Sequence, residues 1–241
     1  MFDVEQAAIE RWAREKGLTL DFDTTRKLIL YATRIQRANL LYNLTGLKDV
    51  QEIIRILVLG SLEPFLHWKV PRGTRFVDVG SGAGIPGIPL GILFPGMRGV
   101  LVESHRKKAA FIEGVVSELV LNNLLALCAR VEEAARSEEY RESFDCAFAR
   151  AFGQFYVVAE VALPLVKPGG FLYVYAGRGR EEPDERIVSH LKSLGGELMP
   201  SVGPSFPESP PGLLVVKNGS TPGSYPRRNA VIKRECRRHA V

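Results

Sequence analysis

Apolar residues recur at three- and four-residue spacing through residues 2–16 and again through 24–41, where Leu28, Tyr31, Ile35 and Leu40 mark one face. Asp23 or Thr24 is placed to cap the second segment, and 50–66 forms a third apolar-faced run. These patterns predict a helical N-terminal region over residues 1–70, closed by the turn Pro71-Arg72-Gly73. Beyond it the pattern changes: short apolar runs at 76–79, 99–103, 124–130, 144–150, 171–176 and 213–217 alternate with helix-like stretches. Such alternation predicts an α/β fold with a mostly parallel sheet and helices on both faces. The last run follows the Pro-rich stretch 207–212 instead of a long helix, so an antiparallel last strand is expected.

Candidate chemistry enters at the end of the first run. Asp78-Val79-Gly80-Ser81-Gly82-Ala83-Gly84 places three glycines at alternate positions, which lets the backbone turn tightly and approach a ligand without a Cβ in the way. Asp78 stands where a carboxylate faces a hydroxyl-bearing or cationic part of that ligand. Glu103 ends the next run, where an acid accepts hydrogen bonds from both ribose hydroxyls, and Ser104 follows it. The pair points to an adenosine-containing ligand. Gly82 to Gly87 also satisfies the dinucleotide pattern G-x-G-x-x-G, which keeps an NAD-dependent oxidoreductase open. Asp78 and Gly80 extend it to D-x-G-x-G-x-G, the form associated with S-adenosylmethionine, whose sulfonium carries no pyrophosphate and needs less anion-binding amide surface. Pro86 and Pro89 fit only the first turn of the helix that follows. Glu132, after the third run, suits an adenine edge or the start of a helix.

Composition bounds the picture without changing it. The 241 residues and 46% apolar content suffice for one full core, with residues 71–220 as the catalytic-sized unit. No apolar run reaches membrane-span length, and Met1-Phe2-Asp3-Val4-Glu5 does not read as a signal peptide. Three dispersed cysteines, Cys128, Cys146 and Cys236, lack metal-ligand spacing, so no metal and a reducing, cytoplasmic setting are expected. The charge is more telling. The net +5 resides wholly in residues 221–241, where Arg227, Arg228, Lys233, Arg234, Arg237 and Arg238 face Glu235 alone. A basic C-terminal tail over 221–241 is the footprint of a polyanionic partner.

The segments Asn43-Leu44-Thr45, Asp78 to Pro89, Arg130-Val131-Glu132-Glu133, Arg150-Ala151-Phe152, Lys167 to Gly170 and Tyr225-Pro226-Arg227-Arg228 together resemble the RsmG (GidB) family, in the family's order. These are bacterial 16S ribosomal RNA guanine-N7 methyltransferases that use S-adenosylmethionine. The resemblance implies a class I methyltransferase, Rossmann-like sheet. It implies cofactor contacts from Gly80, Ile85, Val131, Glu132 and Arg150, added to Asp78, Gly82, Gly84, Glu103 and Ser104 above, and places Asn43, Tyr225, Arg227 and Arg228 toward RNA. The chain departs from the family where Ala176 replaces a usual lysine, where Ile56 or Leu57 and Gly60 replace a His and an Asp, and where Asn229-Ala230 replace Pro-Gly. Arg178 or Arg180 is expected to substitute for the lysine.

The chemistry so implied needs no general base. Guanine N7 carries an in-plane lone pair, so a site need only supply proximity and in-line orientation. His67, His105, His190 and His239 are dispersed and read as structural or solvated. An unstacked base calls for an aromatic or guanidinium platform, and Phe152 beside Arg150 fits that role, as it fits a core position. The expected partner is 16S ribosomal RNA, free or in a small subunit or assembly intermediate, met by a monomer and with no membrane. A non-catalytic RNA-binding or assembly factor on the same fold is the other class left open.

Overall fold

The computed structural model describes residues 2–66, 70–175, 184–199 and 212–238. Ala176, Arg178, Arg180, His67 and His239 lie outside them. Helices α1 (Phe2–Glu15) and α2 (Phe22–Asn39) match the predicted periodicity, but the cap of α2 is Asp21, whose carboxylate accepts from the Thr24 N–H at 2.6 Å. Asp23, predicted as a cap, already lies within the first turn. The third segment is irregular: α3 (Val50–Glu52) runs into a π-helical stretch, Ile53–Leu59, then α4 (Gly60–Leu62). Its periodicity is therefore wider than the 3.6 residues per turn that the sequence suggested.

Strands β1 (Arg75–Val79), β2 (Arg98–Val102), β3 (Leu124–Leu127), β4 (Phe144–Arg150), β5 (Val166–Tyr175), β6 (Gly196–Leu198) and β7 (Gly212–Lys217) form, among the described residues, a seven-stranded sheet in the order β3-β2-β1-β4-β5-β7-β6. β1 to β5 pair in parallel, while β7 inserts antiparallel between β5 and β6. The antiparallel last strand is as predicted. The short edge strand β6 is not, because Gly196-Glu197-Leu198 is too brief to show alternation. β3 also ends early, at Leu127, since Arg130 precedes α7 (Val131–Ala134) and donates its backbone N–H to the Glu133 carboxylate at 3.3 Å. Cys128, expected within that strand, is consequently exposed.

Alternation along the strands divides the core. Phe76, Leu101, Cys146, Phe148, Tyr173 and Tyr175 face the N-terminal helices, α5 (Gly87–Leu93) and α6 (Arg106–Glu118) in one apolar cluster. Val77, Val79, Val102, Ala147, Ala149, Leu172 and Val174 face α7, α8 (Phe155–Ala162) and α9 (Glu185–Ser193) in another. Ile232 of α10 (Asn229–Arg238) is fully buried in this second cluster. The C-terminal segment, read as a basic tail, is thus partly a docked helix. No helix among the described residues is long and apolar enough to cross a membrane.

Candidate active site

In an open α/β sheet, ligands bind beyond the carboxyl ends of the strands where the order reverses. Here β1 continues outward to β2 and β3 on one side, and the chain then returns to place β4 on the other. The glycine loop follows β1, and Arg150-Ala151-Phe152 closes β4, so the two motif segments flank the reversal. A cavity of about 500 Å³ opens there, within the usual range for small-molecule sites.

The loop is held from behind. Gly80 and Ser81 donate their backbone N–H groups to Val102 O at 2.9 and 3.1 Å. Gly82 N–H donates to Glu103 Oε2 at 2.9 Å, while Oε1 accepts from His105 N–H at 2.7 Å. Gly80 adopts φ +67°, and a Cβ there would collide with the Phe152 ring, which lies directly over it. Ala151, at φ +54°, makes the left-handed turn that sends Phe152 back across the loop.

Of the residues predicted to bind the cofactor, the structure brings Gly80, Gly82, Ile85, Glu103, Ser104, Val131, Glu132 and Arg150 together on the cavity wall, with Phe152 beside them. Asp78 and Gly84 are not on it. Asp78 is fully buried, and its Oδ2 accepts from the Gly87 N–H at 2.9 Å, anchoring the first residue of α5. Burial pushes its carboxyl up to about 7. Gly84 lets Ile88 pack closely, since a Cβ there would lie 2.5 Å from Ile88 Cδ1. Both shape the loop from beneath.

Arg150 lines the cavity but is largely committed. Its guanidinium donates to the carbonyls of Ile56 (2.8 Å) and Leu57 (3.2 Å) in the π-helical stretch and lies 5.4 Å from the Tyr175 ring centroid. Burial lowers its pKa from the usual guanidinium value. It ties β4 to the N-terminal helices, and Tyr31 ties α2 to the glycine loop by donating to Ala83 O at 2.8 Å.

The RNA-directed predictions fare unevenly. Asn43 is exposed and off the cavity wall, whereas Leu44, Thr45 and Gly46 form part of it. Asn39 sets this loop: its Oδ1 accepts from Leu44 N–H (3.1 Å) and Thr45 N–H (2.9 Å), and its Nδ2 donates to Leu47 O (2.6 Å). Arg228 is exposed. Arg227 is clamped, its backbone N–H and Nε donating to Glu160 Oε1 at 2.9 Å and its Nη2 to Oε2 at 2.6 Å. Tyr225 packs edge-on against His190, which in turn stacks on Tyr156 at 3.9 Å between centroids. Arg130, part of a segment quoted for the resemblance, lines the cavity, and so do Leu57, Lys108 and Asn229, which were not singled out as site residues. Lys108 lies in the first turn of α6, shortly after the end of β2, a position that could have flagged it.

The model of the GidB family, described as rRNA small subunit methyltransferase G, matches residues 24–194. The ribosomal RNA small subunit methyltransferase G of Desulfitobacterium hafniense (strain Y51) is 36% identical over 95% of this chain and 96% of its own. That of Moorella thermoacetica (strain ATCC 39073 / JCM 9320) is 34% identical over 90% and 92%. Among solved structures, the mitomycin 7-O-methyltransferase MmcR superposes with a TM-score of 0.53 at 14% identity, covering 80% of this chain and 60% of that one, and shares the fold. With matches spanning nearly its whole length, this chain belongs to the rRNA small subunit methyltransferase G family.

Proposed function

We propose that this protein methylates N7 of a guanine in 16S ribosomal RNA, with S-adenosylmethionine as methyl donor. The observation that carries the cofactor reading is the state of the glycine-loop amides. A dinucleotide site aims such amides and a helix N-terminus at a pyrophosphate. Here the N–H groups of Gly80, Ser81 and Gly82 are spent on Val102 O and Glu103, and Asp78 occupies the start of α5. The donors a diphosphate would need are thus already taken by groups of the chain itself, which disfavours NAD. The residues present fit an adenosyl sulfonium instead: each Glu103 oxygen accepts one backbone N–H and keeps a lone pair for a ribose hydroxyl.

When bound, the cofactor supplies an electrophilic methyl. The chain's part is placement. Glu103 and Glu132 hold the nucleoside, Gly80 and Gly82 admit it closely, and Phe152 offers its partly exposed ring to an unstacked guanine at the cavity mouth. Arg150 positions the π-helical wall on which Leu57 sits. Lys108 and Arg130, at the rim, and the exposed Arg228 are suited to phosphates. No thiol is set for attack on a ring carbon: Cys146 is buried and its pKa is raised by desolvation, and neither Cys128 nor Cys236 lines the cavity. This supports transfer to a nitrogen that needs no covalent activation.

The test is transfer of tritium from labelled S-adenosylmethionine to naked 16S RNA, assembly intermediates and finished small subunits. Label on one of these substrates supports the assignment. Intact binding of S-adenosylhomocysteine with no transfer to any of them makes the protein a binding or assembly factor instead.

A further inference from the structure

Asn229 opens α10 two residues after the Arg227 clamp, and among the described C-terminal residues it alone reaches the cavity wall. Its Nδ2 donates to Glu132 Oε1 at 2.6 Å. That bond orients the amide and leaves the side-chain carbonyl, Oδ1, buried with no donor. A buried acceptor without a partner is costly, so one retained on the wall of a ligand cavity calls for a donor carried by the ligand. Glu132, its neighbour, has only acceptors to offer when ionised. The two side chains, both on the cavity wall, therefore set a neutral and an anionic oxygen beside each other at this end of the cavity. Pairing is possible only because Asn229 stands where the family resemblance leads one to expect proline, a residue without a side-chain donor.

We propose that Asn229 is part of the cofactor site: its Oδ1 accepts a hydrogen bond from the exocyclic amino group of the adenine, and its Nδ2 positions Glu132 against the same edge. The inference rests on the S-adenosylmethionine reading above. Its consequence is purine selectivity. An amino group at C6 meets the two oxygens as a donor, whereas a 6-oxo purine brings a third acceptor against them. A site built to hydrogen-bond an amino group rejects the analogue lacking it far more strongly than an apolar pocket does. The C-terminal helix is then a wall of the cofactor site as well as a carrier of basic residues.

Titration calorimetry with S-adenosylhomocysteine and S-inosylhomocysteine, on protein free of RNA, tests this. Wild-type protein should prefer the adenosyl compound, and N229A should lower the ratio of the two affinities about tenfold, the worth of roughly one hydrogen bond. A role confined to docking α10 would weaken both ligands alike and leave the ratio unmoved. N229D places a carboxylate against Glu132 and should weaken adenosyl binding, and N229D combined with E132Q should restore it by reversing donor and acceptor. An unchanged ratio in N229A, or no rescue in the swap, overturns the inference while wild-type binding leaves the functional reading standing. Failure of the wild-type protein to bind S-adenosylhomocysteine overturns both.

Discussion

At the residue scale, two glycines that look equivalent in the sequence do different work. Gly80 and Gly82 both have positive φ, +67° and +60°, but a Cβ on Gly80 meets the Phe152 ring while one on Gly82 finds only Gly80 O at 3.9 Å. Calorimetry should therefore show Gly80→Ala lowering S-adenosylhomocysteine affinity more than Gly82→Ala, whose cost is backbone strain of about 1–2 kcal/mol. Equal losses would contradict the placement of Phe152. Asp78 yields a pH prediction. Its carboxyl is raised from 3.8 to about 7, so between those values the folded state holds a proton that the unfolded chain has released. Stability then falls as pH rises from about 4 to about 7, by up to about 4 kcal/mol, and Asp78→Asn should gain on the wild type across that window in urea unfolding. A stability difference flat in pH would refute the buried carboxyl. The sequence revealed Asp78 as important but not why, because hydrogen bonding to Gly87 depends on the chain folding back over the loop. Glu103, Val131 and Glu132 were legible, since each follows a strand end and strand ends face the site.

At the element scale, the C-terminal segment departs most from its sequence reading. Arg227 looked like an RNA contact because its basic neighbours are local, while its partner Glu160 lies in an apolar run of α8 far upstream. Burial alone would raise the Glu160 carboxyl, but hydrogen bonds from Arg227, with His190 Nε2 3.3 Å from Oε2, outweigh it and hold it at about 2. The folded value lies below the unfolded 4.5, so this contribution is complete above 4.5 and is lost as pH falls toward 2. Arg227→Met leaves a fully buried carboxylate without its main partner and should cost about 3 kcal/mol near neutral pH, while Arg227→Met with Glu160→Leu should recover most of it. Denaturant unfolding decides this, and a single variant as stable as the wild type would mean the clamp is dispensable. The same blindness to distance hid the π-helical stretch. Its carbonyls are taken up by Arg150, which is nearly a hundred residues away.

At the scale of the whole molecule, the excess charge and the cavity share the C-terminal segment. With Arg227 clamped to Glu160, the basic side chains of 221–241 described as exposed are Arg228 and Arg234. Neutralising the exposed Arg228 and Arg234 together should make the salt slope for single-stranded RNA shallower by about 1.4, at roughly 0.7 per phosphate contact. An unchanged slope would move RNA binding to Lys108, Arg130 and the N-terminal helices. The central claim, that this cavity directs a methyl to guanine N7, is tested most directly by identifying the product. Small-subunit RNA incubated with the protein and S-adenosylmethionine is digested to nucleosides and resolved by mass spectrometry. The account predicts 7-methylguanosine that is absent without the protein. A methyl found on cytosine, on another guanine atom or on no nucleoside would contradict it.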